Sequence, residues 1–271
     1  MSLNAVAIVT GASSGIGMET AYALARRGYS LVLAARRADR LAEVAQQCQR
    51  RGAPEALAVP TDVAVESQVD TLAAKTVEQF GRIDVMVNNA GFGLFARAIE
   101  TTDAEMRAIF QTNFFGVFYG CKAVAPAMIR QGGGHIFNVS SVIGKRGTPF
   151  HGAYCATKFA VAGLTESMRV ELAAHNVRVT LACPALTDTE FFQQSREGRR
   201  AQSSFQRFKG MMSAAAVGEK IAATVGKSRP QIVFSLGGKL LALLATFSPR
   251  LADWMMKQYY KDLSRKLAED L

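Results

Sequence analysis

The stretch Thr10-Gly11-Ala12-Ser13-Ser14-Gly15-Ile16-Gly17 follows directly on a short apolar run, residues 5–9. The run is typical of a buried strand, and a helical pattern then extends from Gly15 to Arg27, where Gly28 ends it. Glycines let the backbone turn tightly and approach a pyrophosphate, and the first turn of a helix offers unpaired N–H groups to an anion. The placement predicts a dinucleotide site, although a tight turn without any ligand would have the same spacing.

The rest of the chain repeats this alternation of short apolar runs and longer segments of helical period. Further strands are predicted at 31–35, 56–59, 83–87, 135–139, 177–182 and 231–234, and helices at 38–51, 65–80, 103–115, 117–130 and 153–174. Strands that are apolar on both faces and alternate with helices are typical of a parallel sheet covered on both sides. We therefore predict one α/β domain over residues 1–271, a doubly wound parallel sheet of the Rossmann type with about seven strands and helices on both faces.

Composition and cysteine spacing exclude several classes of protein. Hydrophobic residues make up 49% and charged residues 20%, which is ordinary for a soluble globular protein. No apolar run approaches the ~18–20 residues that cross a bilayer, and residues 1–10 lack the features of a signal peptide. The four cysteines are widely spaced, so we expect no metal site and no disulfide framework, and we expect a cytoplasmic location.

A formal net charge of +10 raises the question of an anionic partner. Nucleic acid is one candidate, but the basic residues are scattered and no helix carries arginines interleaved with aromatic residues. We therefore expect no nucleic-acid partner. An anionic cofactor or an acidic membrane surface explains the sign of the charge equally well.

The end of the second predicted strand, Ala34-Ala35-Arg36-Arg37, bears on the choice of cofactor. An acidic residue there would bind the ribose 2′-hydroxyl of NAD and repel a 2′-phosphate. Arginine instead pairs with phosphate through its planar fork, so Arg36, together with Arg37, favours NADP(H). The alternative is a solvated pair of arginines at the start of a helix.

Tyr154 and Lys158 lie four residues apart early in the helix predicted over 153–174, and therefore on one face. A nearby cation lowers the pKa of a tyrosine, which can then exchange a proton with a carbonyl or alcohol oxygen. The pair alone is common on helix surfaces. Asn88-Asn89-Ala90-Gly91 and Asn138-Val139-Ser140-Ser141 end two strands at the sheet edge where open α/β proteins bind ligands, which strengthens the prediction.

With these motifs in this order, the sequence from about residue 5 to 189 resembles the short-chain dehydrogenase/reductase family. The resemblance implies that Tyr154 is the general acid/base and that Ser141, rather than Ser140, orients the substrate oxygen. It implies that Lys158 lowers the pKa of Tyr154 and binds the nicotinamide ribose, and that Asn113 takes part in a proton relay. The cofactor would also be contacted by further residues, namely Asp62, Val63, Asn89, Ala90, Gly91, Pro184, Thr187 and Thr189.

The sequence departs from the family where Pro-Gly usually follows the sixth strand, because Ala185 stands after Pro184. We also expect a substrate lid over 190–212 and a helical extension over 236–271, which could cover the active site, join subunits or lie on a membrane surface. His151 is interpreted as a partly exposed loop residue. Aromatic and aliphatic residues near the motifs could line an apolar substrate pocket, or be ordinary core: Phe92, Leu94, Phe95, Phe191 and Phe192.

The sequence thus predicts a reversible NADP(H)-dependent oxidoreductase that acts on a small-molecule carbonyl or alcohol without a metal. The candidate pocket residues favour a hydrophobic substrate. The alternatives are an NAD(H)-preferring alcohol dehydrogenase of the same family and a non-catalytic NADP(H)-binding sensor. Family members often pair through the helices at 117–130 and 153–174, so the resemblance implies a homodimer or homotetramer.

Overall fold

A computed structural model describes residues 5–187 and 211–269 of the protein. Within these ranges seven strands form one parallel sheet in the order β3-β2-β1-β4-β5-β6-β7. The strands are β1 Val6–Thr10, β2 Ser30–Ala35, β3 Ala56–Pro60, β4 Val85–Asn88, β5 Gly134–Val139, β6 Val177–Cys183 and β7 Gln231–Val233.

Helices connect the strands and cover both faces of the sheet. They are α1 Gly15–Ala25, α2 Ala38–Arg50, α3 Glu66–Phe80, α4 Asp103–Phe110, α5 Gly116–Arg130, α6 Gly152–Glu171, α7 Ala214–Ala222, α8 Leu236–Phe247 and α9 Pro249–Glu269. The strand order reverses between β1 and β4, and open α/β sheets bind ligands beside such a switch point.

The central strands are apolar in succession because both of their faces are buried. Leu31 and Leu33 of β2 contribute to a core beneath α1, α2 and α7, whereas Val32 and Ala34 contribute to a second core beneath α3, α5 and α6. This division between two cores confirms the doubly wound α/β fold that the sequence predicts. Most predicted boundaries lie within three residues of those observed.

One predicted helix boundary differs from the structure. The sequence suggests separate helices over 103–115 and 117–130, but the backbone is helical without a break from Asp103 to Arg130. A π-helical turn, Gln111–Phe115, joins α4 to α5. Such turns are frequent at functional sites, since the extra residue in the turn redirects a side chain.

The predicted C-terminal extension consists of α8 and α9. In the described ranges 5–187 and 211–269, no helix is both long and apolar enough to traverse a membrane.

Gly218 of α7 provides a test of the packing of α7 against α1. A Cβ atom at this position would lie 2.6 Å from the Glu19 carbonyl carbon and 2.6 Å from the Thr20 nitrogen, both of them backbone atoms of α1. We predict that Gly218→Ala lowers the free energy of unfolding by about 1–3 kcal/mol, because the two helices must move apart. Urea denaturation monitored by circular dichroism measures this change.

Gly163 in α6 is the matched control, because a Cβ atom there would meet nothing within 4 Å. Gly163→Ala should raise the free energy of unfolding by roughly 0.5–1 kcal/mol through helix propensity alone. Stabilisation by both substitutions would show that α7 does not pack on α1 as described.

Candidate active site

A cavity of about 600 Å³ opens at the carboxyl ends of the strands. Residues that follow β1, β2, β3, β4, β5 and β6 all contribute to its wall, as the sequence predicts for an open parallel sheet. From the predicted site residues the wall includes Gly11, Ser13, Ser14, Gly15, Ile16, Arg36, Arg37, Asp62, Val63, Asn89, Ala90, Gly91, Ser141, Tyr154, Lys158, Pro184 and Thr187.

The glycine turn brings backbone N–H groups to one end of this cavity. Gly11 and Gly15 have φ angles of 65° and 54°, in the left-handed region that glycine adopts without strain. The N-terminus of α1 has no side-chain cap and no acidic residue in its first turn. Its first N–H groups, which have no intrahelical partners, are therefore suited to a phosphate.

Gly17 has a different place from the other glycines of the motif and does not line the cavity. A Cβ atom on Gly17 would meet the backbone of Gly11 and lie 2.6 Å from Asn89 Nδ2. This glycine therefore permits close packing of α1 beneath the turn, and the sequence spacing alone could not separate that role from contact with a ligand.

Thr10 and Asn89 join the ends of β1 and β4. The backbone N–H groups of Asn89 and Ala90 donate to Thr10 Oγ1 at 3.0 and 3.1 Å, and Asn89 Nδ2 donates to the Thr10 carbonyl at 3.0 Å. These bonds hold the Asn-Ala-Gly segment beside the glycine turn. The two predicted cofactor-binding loops therefore lie against one another.

The arginines after β2 face the same end of the cavity. Arg37 donates to Ser13 Oγ at 3.3 Å and to Ser14 Oγ at 3.1 Å, so its guanidinium group lies over the glycine turn. Arg36 is exposed, and its side chain forms no hydrogen bond or ion pair with the described residues. Asp62 lies on the adjacent wall, where its carboxylate accepts a hydrogen bond from Ala64 N.

Tyr154 and Ser141 meet at the other end of the cavity. Tyr154 is only 7% exposed, and burial raises the pKa of its hydroxyl, while a hydrogen bond with the Ser141 side chain opposes that rise. Ser141 lies just after β5, and its Oγ accepts a hydrogen bond from Ile143 N at 3.4 Å. The hydroxyl groups of a tyrosine and a serine are thus brought together, as the sequence predicts.

Lys158 lies one helical turn beyond Tyr154 and is 3% exposed. Its Nζ atom is 5.5 Å from the centre of the Tyr154 ring and donates to the Val139 carbonyl at 2.9 Å. Burial penalises the ammonium and lowers the pKa of Lys158 to about 8. Ser140, the neighbour that the sequence argument rejects, donates through Oγ to the Lys158 carbonyl at 3.0 Å and so fixes the lysine's backbone.

Asn113 lies in the π-helical turn, fully buried behind the cavity wall. Its Oδ1 accepts from Phe92 N and its Nδ2 donates to the Phe92 carbonyl, each at 2.9 Å. A Cβ atom on Gly91 would lie 2.9 Å from the same Oδ1 atom, so a glycine is needed for this approach. Asn113 therefore positions the Asn-Ala-Gly segment.

Several expectations need correction or lie beyond the described ranges. His151 is buried and lines the cavity, so the prediction of a partly exposed loop residue is wrong. The ring of Phe95 packs against its imidazole, and its Nδ1 atom forms a hydrogen bond with the Pro149 carbonyl. Leu94 and Phe95 pack in the core, whereas Phe92 lines the cavity. Three sets lie outside the described residues, namely Thr189, the pair Phe191 and Phe192, and the predicted lid apart from residues 211–212.

Ala185, which replaces the family's glycine, also lines the cavity. Its backbone is not among the positive-φ residues of the described chain, so the methyl group causes no left-handed strain. The substitution is therefore compatible with the local backbone.

The α9 helix contributes two residues to the cavity wall that the sequence motifs do not indicate, Met256 and Tyr259. They lie on the inner stripe of that helix with Ala252 and Leu263, at a spacing of three and four residues. Of the three roles left open for the extension, covering the site is the one observed. The helical period could have identified this stripe, but not the surface against which it packs.

An aromatic stack attaches α9 to the wall of the cavity. Phe150, whose φ is 63°, stacks on Phe95 with ring centres 5.1 Å apart and on Tyr260 of α9 at 5.4 Å. Arg146 forms an ion pair with Asp253 beside this stack. The loop before Tyr154 and the C-terminal helix therefore form one wall.

Comparison with known proteins agrees with this arrangement. A family model described as short chain dehydrogenase matches residues 5–200. The chain is 34% identical to the uncharacterized oxidoreductase YxnA of Bacillus subtilis (strain 168), over 93% of this chain and 71% of that protein.

Two solved structures, each 30% identical in sequence, share the fold. A short chain dehydrogenase/reductase from Burkholderia phymatum in complex with NAD superposes with a TM-score of 0.85, covering 92% of this chain and 95% of that chain. An alcohol dehydrogenase from the archaeon Thermococcus sibiricus complexed with 5-hydroxy-NADP superposes with a TM-score of 0.75, covering 84% and 95%. The structural relatives therefore include complexes with both types of nicotinamide cofactor.

Proposed function

Because the chain belongs to the short-chain dehydrogenase family, we propose that it is an NADP(H)-dependent oxidoreductase that acts on a carbonyl or alcohol group. The observation that carries the proposal is the convergence of Ser141, Tyr154 and Lys158 in a cavity whose other end holds the glycine turn and two arginines. When bound, NADP(H) supplies or accepts the hydride.

Tyr154 is the proton donor in the proposed carbonyl reduction. With its pKa raised by burial, the Tyr154 hydroxyl is protonated at neutral pH and can donate to an oxygen that gains negative charge. Ser141 holds that oxygen beside Tyr154. In the reverse direction Tyr154 must act as the phenolate, which the ammonium of Lys158 favours.

The charge of the cavity wall supports the choice of NADP(H). Arg36, Arg37 and Lys158 contribute three positive charges against the one carboxylate of Asp62 among the described lining residues. Arg36 has no competing partner among the described residues and is available to a 2′-phosphate. An NAD(H)-preferring enzyme stays the runner-up.

Arg36→Ala tests the cofactor assignment. We expect roughly 10–100-fold weaker NADPH binding, because a charge-assisted hydrogen bond contributes about 1.5–3 kcal/mol, and little change in NADH binding. Isothermal titration of wild type and variant with both cofactors measures this difference.

Arg40→Ala is the matched control, since Arg40 is an exposed arginine of α2 that pairs with Glu43 and does not line the cavity. Its affinity for both cofactors should equal that of wild type. Tighter binding of NADH than NADPH by the wild type would favour the runner-up.

The wall near Tyr154 supports a hydrophobic substrate. Apolar side chains from four parts of the chain line the cavity beside the reacting groups: Phe92, Val142, Ile143, Leu186 and Met256. A few polar groups among an apolar lining are typical of sites that orient a mostly apolar ligand. Met256 and Tyr259 of α9 would then take part in substrate selection, since both line this cavity.

Tyr154→Phe tests the catalytic proposal. Loss of the general acid should lower kcat by about 10²–10⁴-fold while NADPH affinity stays close to that of wild type. The assay follows consumption of NADPH on a panel of aliphatic and aromatic carbonyl compounds. Tyr22→Phe is the control, since Tyr22 lies on α1 and does not line the cavity. Tight NADPH binding without turnover by the wild type would instead favour a non-catalytic sensor.

The lowered pKa of Lys158 predicts a pH dependence. Its ammonium is present below about pH 8 and is lost as the pH rises through that value. We expect kcat/KM for alcohol oxidation to lose the contribution of this charge above about pH 8, and Lys158→Arg to move that loss to higher pH, because a guanidinium stays charged. A profile with the same break in both proteins would assign it to another group.

The homodimer or homotetramer implied by the family stays a prediction. Phe115 at the end of the π-helical turn, Phe118 on α5 and Phe159 on α6 are exposed, which supports pairing through α5 and α6.

A further inference from the structure

Exposed apolar side chains are concentrated on α8 and α9. Among the described residues, seven of the thirteen exposed large apolar side chains lie on these two helices: Leu240, Leu243, Phe247, Leu251, Trp254, Met255 and Tyr260. Phe247 is 82% exposed and Trp254 is 58% exposed. Such a concentration marks an interaction surface, because exposed apolar residues are usually scattered.

One face of α9 packs on the protein, and the opposite face is exposed. Ala252, Met256, Tyr259 and Leu263 form the inner stripe and are turned toward the cavity wall. The spacing of three and four residues places a second stripe on the opposite side, which contains Leu251, Trp254, Gln258, Lys261 and Arg265. All of these outer residues are exposed.

Positive charge accompanies the apolar residues on the outer side. Arg250, Lys257, Lys261 and Arg265 are exposed, and none of them forms an ion pair or side-chain hydrogen bond with the described residues. Of the acidic side chains described on α9, Asp253 is paired with Arg146, which leaves Asp262. The outer side of α9 therefore combines apolar residues in its N-terminal half with cations that begin at Arg250 and recur to Arg265.

The α8 helix adds a similar apolar stripe. Leu240, Leu243 and Phe247 repeat at three and four residues and are exposed together. On its other side, Gly238 packs on Val142 of the cavity wall, since a Cβ atom there would lie 2.5 Å from Val142 Cγ1. Both helices are thus anchored to the active-site wall through one face and leave an apolar face uncovered.

We propose that the outer face of α8 and α9 binds the surface of an anionic phospholipid bilayer. Apolar side chains, a tryptophan and unpaired lysine and arginine residues on one face are the features of a helix that lies in the lipid interface. A second copy of the chain would fit the apolar residues. Pairing of two copies across this face would, however, bury these cations where the described residues of α9 supply only the carboxylate of Asp262 to pair with them, which is unfavourable.

Trp254 makes the test specific, because it is the single tryptophan in the protein. The full-length protein is mixed with vesicles of phosphatidylcholine alone or of phosphatidylcholine with phosphatidylglycerol. We expect flotation with the anionic vesicles and a blue shift of Trp254 emission, both weakened by added salt. Pure phosphatidylcholine should bind much less protein.

Variants separate the contributions of apolar and charged residues. Phe247→Ser should weaken binding to anionic vesicles on the order of tenfold, and Lys257→Gln with Lys261→Gln should weaken it roughly fivefold per lysine. Ile99→Ser is the matched control, since Ile99 is exposed to a similar degree but lies in a short turn elsewhere on the chain. We expect the NADPH affinity of all of these variants to equal that of the wild type, and this result would show that they fold.

Two results would overturn the proposal. One is the absence of both flotation and a blue shift with the anionic vesicles. The other is a blue shift without vesicles that grows with protein concentration, together with a molecular mass by light scattering that is lower for Phe247→Ser than for the wild type. That second result would assign the face to another copy of the chain.

Discussion

The ionisable side chain of Lys158 is only 3% exposed. Burial removes the water that would solvate its ammonium, so neighbouring backbone groups must supply the hydrogen bonds instead. The carbonyl of Val139 accepts a hydrogen bond from Lys158 Nζ, and Ser140 Oγ donates to the backbone carbonyl of Lys158. The end of β5 and the first turns of α6 are therefore held together at this residue. Tyr154 lies one turn earlier on the same helix, so the position of its hydroxyl beside Ser141 follows from the same contact.

Burial shifts the pKa values of Tyr154 and Lys158 in opposite directions. It raises the pKa of Tyr154, which keeps the proton on the hydroxyl, and it lowers the pKa of Lys158 toward the neutral range. A site opened to water would lose both effects together. The α9 helix matters here because Met256 and Tyr259 complete the wall that keeps these groups from solvent.

Local pattern was sufficient to predict the sheet and most of the candidate site. Strands such as Ser30–Ala35 are apolar throughout because two cores share their side chains, and parallel strands bring their carboxyl ends to one edge. Residues at the carboxyl ends of the strands therefore lie close together at this edge, whatever the positions of the helices. The π-helical turn, the burial of His151 and the contribution of α9 depend on contacts distant in sequence, which periodicity does not record.

The two stripes of α9 explain why its sequence fits no single pattern. A helix that only covered a cavity would carry polar residues on its solvent-facing side. A helix that only bound a lipid surface would need no aromatic residues on the side that faces the protein. Tyr260 stacks on Phe150 and Asp253 pairs with Arg146, so movement of this helix would reach the loop before Tyr154. A displacement of α9 would therefore alter the cavity wall beside Tyr154, whereas Lys158 is held to the end of β5 by its bond to the Val139 carbonyl.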